Sequence, residues 1–346
     1  MKKLVFELGL ACIGLVCCLP ASAQIVFTTN DFPSQIGEYF RGYLFNGGSP
    51  SSISVGGLPG ATNGPQVWDL SFAQESFEVV QRTDIVGTDD AGDASTFPTA
   101  TYAERDTNES NGSLAWRYYS FTNTGRVYYG FDDPVDDPVS PVVVFNSPTI
   151  DFPCPLQYGQ NWSRTVSWTQ VVDEFEVLST EFTSQAVVDA YGTVILPIIG
   201  PVPTLRIDDV DTYTYTYNGS PYETQIYRNY YWLVRGIGIA AEVCSQPQTT
   251  TPPANFTSAS INLRVFEASD PKDALSPVKG LTFKLVKGIA AFTWTAATNG
   301  TSYRIESADD LAASTWQLFS LPFSNTFSSN IAPLGTQEFF RVFSKP

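Results

Sequence analysis

Histidine is missing from all 346 residues. Its absence removes the usual general base of Ser-His-Asp and Cys-His nucleophile systems, and the imidazole ligand of most zinc and non-haem iron sites. Basic residues are scarce, with 19 Lys and Arg against 35 Asp and Glu and a formal charge of −16. A surface of that sign repels nucleic acid and anionic lipid and attracts cations, calcium among them. Beyond the N-terminus no stretch approaches the roughly 20 continuous apolar residues of a transmembrane helix. Helical periodicity is lacking too, because no segment sustains apolar residues at i, i+3, i+4 spacing over several turns.

The one apolar run stands at the start. "MKKLVFELGLACIGLVCCLPASAQ" has two lysines, a short apolar core and Ala21-Ser22-Ala23 before Gln24, the pattern of a secretory signal over residues 1–23. A lipid anchor at Cys17 or Cys18 is the competing reading, but Leu15 and Val16 are larger than such a cut prefers. Loss of Lys2, Lys3 and Glu7 makes the mature chain one charge more negative. The expected location is secreted, extracellular or at the outer cell surface, with the periplasm as the alternative. Only Cys154 and Cys244 remain of five cysteines. In an oxidising compartment one disulfide between them is the simplest expectation, and two separate buried thiols are the alternative.

What is present is a succession of short Val-, Ile-, Tyr-, Phe- and Thr-rich runs, separated by Gly, Pro, Asn, Asp and Ser, which predicts strands almost throughout. Examples are 77–85, 114–131 with a turn at Asn123-Thr124-Gly125, 142–145, 161–172, 181–191 and 194–196. The fold class expected is all-β, a large antiparallel β-sandwich over 24–245. Residues 246–275, Pro-, Ser- and Thr-rich around the short strand "INLRVF", are expected to be a linker. Six strand-like runs over 276–346 predict a small second sandwich.

Two resemblances carry this further. "FTWTAATNGTSYRIESADDLAASTWQLFS" with the terminal "QEFFRVFSKP", including Trp294 and Trp316, resembles the fibronectin type III-like modules that end many exported proteins of environmental Gram-negative bacteria, and implies a fibronectin III/immunoglobulin-like fold. "FTTNDFP", "GPQVWDLSF", "YGTVILP", "PTLRI" and "YYWLVRGIGIAAEV" are similar to a group of exported bacterial proteins of unassigned function. These motifs are structural, and they imply no reaction.

The densest aromatic stretch is "DVDTYTYTYNGSPYETQIYRNYYWLVRGIG", residues 209–238. Asn218-Gly219 between alternating runs predicts a hairpin with a two-residue type I′ turn. Such a turn pairs Tyr215 with Tyr222, Asp209 with Arg228, and Leu205 with Trp232. It places Leu205, Ile207, Tyr213, Tyr215, Tyr217, Tyr222, Ile226, Tyr230, Trp232 and Val234 on one core face. The opposite face, with Arg206, Tyr227 and Tyr231, is expected to meet water. An Asp209/Arg228 ion pair is expected to set the tyrosines near the turn apart from the core. Tyr213, Tyr215, Tyr217 and Tyr222 are the candidate aromatic patch for a glycan or surface protein, against the alternative that they cover the end of the core.

Two acidic loops, "GTDDAGDAS" with Asp89, Asp90 and Asp93, and "GFDDPVDDPVS" with Asp132, Asp133, Asp136 and Asp137, are candidate calcium loops, against solvated turns that keep strand edges apart. A glycosidase needs two facing carboxylates, and no spacing selects a pair, Glu176 and Glu181 included. The expected function is therefore a non-enzymatic exported adhesion or scaffold module. The alternative is a carbohydrate-binding or carbohydrate-active protein that uses the aromatic patch or a carboxylate pair.

Overall fold

Side chains that alternate large and polar every second position can bury one face only by pairing edge to edge and curving that face inward. The computed structural model describes residues 25–47, 51–58, 60–133, 142–173 and 176–269. In the C-terminal segment it describes 276–277, 279–286, 289–295, 302–308, 317–323, 328–331 and 339–345. The signal peptide, Asp136, Asp137 and Trp316 lie outside the described residues.

The chain is all-β. Its first part runs β1 (Val26–Phe27), β2 (Tyr39–Asn46), β3 (Ile53–Ser54), β4 (Asn63–Asp69), β5 (Val79–Val86), β6 (Tyr102–Asn108), β7 (Leu114–Thr122) and β8 (Gly125–Asp132). It continues with β9 (Val142–Pro153), β10 (Leu156–Gln157), β11 (Asn161–Asp173), β12 (Glu176–Leu196), β13 (Gly200–Tyr217), β14 (Ser220–Val234), β15 (Gly238–Ser245) and β16 (Ser258–Ala268). One sheet holds 14 of these strands in the order β11-β12-β13-β14-β15-β16-β2-β5-β6-β7-β8-β9, with β3 beside β16 and β4 parallel to β12.

The ends of this sheet meet. Asn146 of β9 donates to Ser167 Oγ of β11 at 2.8 Å, and the Trp162 indole of β11 donates to the Asp151 carbonyl of β9 at 3.1 Å. The layers of the sandwich are thus opposite walls of a single curled sheet. The stretch read as linker contains β16, which pairs with β15 on one side and β2 on the other and so joins the two halves of the wall. Farther on, β17 (Ser276–Pro277), β18 (Lys279–Val286), β19 (Ile289–Thr295), β20 (Ser302–Ala308), β21 (Gln317–Phe323), β22 (Ser328–Ile331) and β23 (Phe339–Lys345) form separate sheets of four and three strands.

Both faces of the curled sheet are buried over much of its area. Inside, Phe27, Phe32, Phe152, Leu156, Val188, Leu205, Ile207 and Leu233 fill one end. Outside, Trp68, Leu70, Val194, Tyr230, Trp232, Val243 and Val265 form a second core beneath the segment from Ile53 to Leu70. Two outer arginines hold the neighbouring loops down. Arg206 pairs with Asp189 at 2.6 Å and donates to the Ala61 carbonyl, and Arg264 pairs with Glu78 at 2.5 Å and donates to the Phe72 carbonyl.

The hairpin β13–β14 corrects the expected faces. Its turn is the two-residue one, with positive φ at Asn218 (47°) and Gly219 (79°), and Tyr217 opposes Ser220. A bulge beyond Thr216 then advances β14 by one residue, so that Tyr215 opposes Glu223, Asp209 opposes Asn229 and Leu205 opposes Leu233. Because side-chain direction alternates, one extra residue reverses every following side chain of β14. Tyr231 and Leu233 turn inward, while Tyr230, Trp232 and Val234 enter the outer core. Arg206, expected in water, is fully buried. The expected Asp209/Arg228 pair does not form: Arg228 meets Asp208 at 3.3 Å, and Asp209 meets Arg164 at 3.7 Å.

The expected disulfide is likewise absent, since both cysteines are free. Cys154 packs at the Phe27/Phe32 end of the interior, whereas Cys244 is on β15 opposite Asn229 and Ile261. Burial pushes the Cys154 thiol up to about 11.

Candidate functional site

The inner face is not apolar throughout. Tyr102, Glu104 and Asp106 of β6, Arg117 and Tyr119 of β7, Arg126 and Tyr128 of β8, Asp151 of β9, Arg164 of β11, Asp209 and Asp211 of β13, and Glu242 of β15 are in phase with its large apolar residues. Such residues cannot all pack as a dry core, and all of them but Tyr102 and Asp209 line a cavity of about 430 Å³ to which every strand from one edge of the sheet to the other contributes. Tyr119, Tyr128, Phe131, Phe145, Trp168, Phe182, Tyr213 and Tyr231 give it aromatic walls. An adjoining hollow of about 350 Å³ shares Leu44, Asn46, Gln81, Asp106 and Arg117 with it and continues to the strand ends at Asn108 and Leu114.

One part of the interior is closed electrostatically. Arg126 donates to Glu104 at 2.9 Å and in bidentate fashion to Asp151 at 2.7–3.2 Å, with its guanidinium 4.3 Å from the Tyr119 ring centre. Asp106 accepts from Thr83 at 2.5 Å and pairs with Arg117. Buried charge is tolerable only when paired this fully.

The opposite wall is less balanced. Asp209 accepts from Ser184 at 2.6 Å and Asp211 from Asn229 at 2.7 Å. Arg164 stands 3.7 Å from Asp209, with its Nε buried and unpartnered among the described residues, as is Asp211 Oδ1. Burial, reinforced by the Asp209 charge, holds the Asp211 carboxyl well above the usual range. Burial also pushes Glu242 up to about 7, opposed by Arg117.

The aromatic candidates occupy a gradient. Tyr213, Tyr215 and Tyr217 share the inner face of β13, opposite Phe182, Thr180 and Leu178 of β12. Tyr213 lines the cavity, 4.9 Å from Phe182 and 6.3 Å from the stacked Tyr215. Tyr215 and Tyr217 are half-buried, and Tyr222, the bulge residue, is 69% exposed beside Tyr217. The patch is therefore a track running from the cavity to the hairpin tip.

The two acidic loops do approach one another. Asp93 and Asp132 share a hydrogen bond, and burial, that bond and the charges of Asp93 and Asp133 push Asp132 up to about 6. Asp89 and Asp90 lie in a separate turn, 88–90. Among the described residues no group of three or more such side chains is arranged to hold a metal ion. Glu181 is exposed on the outer face of β12, away from the interior.

The charged lining was the part missed by sequence reasoning. Its one visible signal is Asp209 and Asp211 in phase with Leu205, Ile207 and Tyr213; Glu104, Arg126, Asp151, Arg164 and Glu242 carry no comparable mark. No known protein family, curated protein or solved structure matches the chain. Among the described residues no helix is long and apolar enough to cross a membrane.

Proposed function

We propose that the protein is an exported, non-enzymatic binding module that takes a small saccharide into the interior of its curled sheet. The observation that carries this reading is the cavity, whose volume lies within the roughly 300–1,000 Å³ of small-ligand pockets. Aromatic rings suit the C–H faces of a sugar, and guanidinium and carboxylate groups suit its hydroxyls. Tyr215 and Tyr217 extend the same surface outward. The fibronectin III-like reading of the tail fits a role as spacer or attachment module.

The test is a glycan array with the mature chain, followed by calorimetry on any hit with wild type and Trp168→Ala. Binding that Trp168→Ala abolishes supports the reading. An array with no hit overturns it, and hydrolysis of a bound glycan overturns the non-enzymatic part.

A second reading, adhesion through the hairpin tips, rests on Tyr222, Val171 and Val177, which are 69%, 51% and 36% exposed. Beads coated with Tyr222→Ser protein should then lose adhesion to glycan- or protein-coated surfaces while solution binding to the cavity persists. Unchanged adhesion removes this reading.

A further inference from the structure

Of the three arginines inside the curled sheet, Arg126 and Arg164 keep 6% and 15% of their side-chain surface accessible, whereas Arg117 keeps 42%. Arg117 lines both the cavity and the adjoining hollow, so that accessible surface lies within the sheet. Asp106 engages one terminal nitrogen of its guanidinium, and a fork of five N–H donors leaves others to the cavity. Glu242 is half-buried and lines the same cavity; burial pushes it up, and the Arg117 charge is what opposes the rise. Strand order sets the two on facing walls, since β7 is reached from β15 by way of β16, β2, β5 and β6, nearly half the circuit. The registers set them at one level. From Glu242 the ladders run through Leu263 and Leu44 to Val79, which lies beside the turn from β6 to β7. Strands of a closed sheet are tilted to its axis, so this walk climbs toward that turn. Arg117 stands several residues back down β7, which offsets the climb.

We infer that Arg117 and Glu242 hold an uncharged sugar between them, the guanidinium donating to its hydroxyl oxygens and the carboxylate accepting from its hydroxyl groups. This rests on the saccharide reading and narrows it to neutral saccharides. The other interior charges are matched within the protein: Arg126 by Glu104 and Asp151, and Arg164 by Asp209. A carboxylate on the sugar gains from Arg117 but stands before Glu242, and an ammonium does the reverse, so either ion meets a like charge in a desolvated space. A hydroxyl both donates and accepts, and a ring that carries several serves both walls without adding charge. Phe131 is beside Arg117 in the β7–β8 ladder and Tyr231 beside Glu242 in the β14–β15 ladder, and both rings line the cavity where the C–H surface of the sugar would lie.

Calorimetry on the mature chain with glucose, galactose, mannose, cellobiose, glucuronic acid and glucosamine tests this. The best neutral sugar should bind at least about tenfold more tightly than either charged one, because each ion leaves a charged group of the site opposed instead of hydrogen-bonded. Glu242→Gln removes the negative wall, breaks no ion pair, and should raise the affinity for glucuronic acid relative to glucose. Arg117→Lys keeps a cation beside Asp106 but loses the fork, and should weaken neutral sugars about fivefold or more at an unchanged melting temperature. A shift in the acid-to-neutral ratio is a readout that a merely structural role for Glu242 would not give, and the wild-type ranking decides if neither variant folds. A charged sugar that binds wild type as tightly as the neutral ones overturns the inference and leaves the saccharide reading intact. So does sugar binding that Trp168→Ala abolishes but both variants leave unchanged. No binding by any of the six overturns the saccharide reading and this inference with it.

Discussion

Arg264 and Glu78 show at the scale of single residues how this chain keeps charge away from water. Both side chains are essentially unexposed, they meet at 2.5 Å, and the guanidinium also serves the Phe72 carbonyl while lying 3.7 Å from the Phe72 ring centre. Removing one member leaves the other buried and unpaired, which costs about 3–5 kcal/mol. Arg264→Leu should lose that much in urea titration, whereas Arg264→Met combined with Glu78→Leu should recover most of it. A double variant as unstable as the single one would mean that the arginine matters for its carbonyl contact instead. Asp132 is the converse case, a carboxyl whose folded value of about 6 lies above its ordinary 3.8. The folded state binds that proton more tightly than the unfolded one, so stability is greatest below about pH 4 and falls as pH rises to about 6. Asp132→Asn, which never ionises, should be more stable than wild type at pH 7.5 and equal to it at pH 4. An equal gap at both values would show that the folded state does not raise the Asp132 carboxyl.

At the scale of elements, the hairpin β13–β14 shows what could be read in the sequence and where reading stops. Asn218-Gly219 located the turn, and period-2 alternation located β13 and its inner face from Leu205 to Tyr217 correctly. The one-residue bulge was invisible, because Tyr222 suits a bulge no better than a paired site, and every face on β14 inverted with it. The error could not be detected from composition: both faces of this hairpin are buried at its base, so large residues on either parity, Tyr230 and Trp232 or Tyr231 and Leu233, fit a core. β16 is legible as the short strand "INLRVF", but its place in the large sheet is not: its flanks are Pro-, Ser- and Thr-rich, and its pairing partner β2 is more than 200 residues away, so no local signal reveals that pairing. The register of β14 is held by those two cores and not by the turn. Tyr222→Ser should therefore leave stability within about 0.5 kcal/mol of wild type, as at other exposed sites. Deleting Tyr222 should close the bulge, leaving Tyr217–Ser220, Thr216–Pro221 and Tyr215–Glu223 as consecutive pairs beside an intact turn, without shifting the base, which hydrogen exchange at Tyr231 and Leu233 would report as unchanged protection. Loss of protection there would show that the turn sets the register after all.

At the scale of the whole molecule, a sheet whose two edges meet has an inside, and the inside must be sealed or filled. The β9–β11 seam is carried by side chains such as Asn146, Ser167 and Trp162, which explains why the strand pattern predicted layers and not a closed curl. The closed end is filled by the segment around β1. There Phe32 lies 5.7 Å from Phe27, 6.0 Å from Phe121 of β7 and 5.5 Å from Phe152 of β9, and the Arg126 guanidinium of β8 is 5.4 Å from its ring centre. One ring thus joins the N-terminal segment to three strands and screens the Glu104–Arg126–Asp151 network from that end. Phe32→Ala removes the ring from a packed site, and a loss of about 3–5 kcal/mol is expected. It also opens a route for water to Arg126, so amide exchange in β7 and β8 should quicken more than in the outer core around Trp68 and Trp232. Equal acceleration in both places would indicate global destabilisation alone. A loss below about 1 kcal/mol would show that the site collapses around the missing ring, with the interior sealed by the rest of the aromatic cluster.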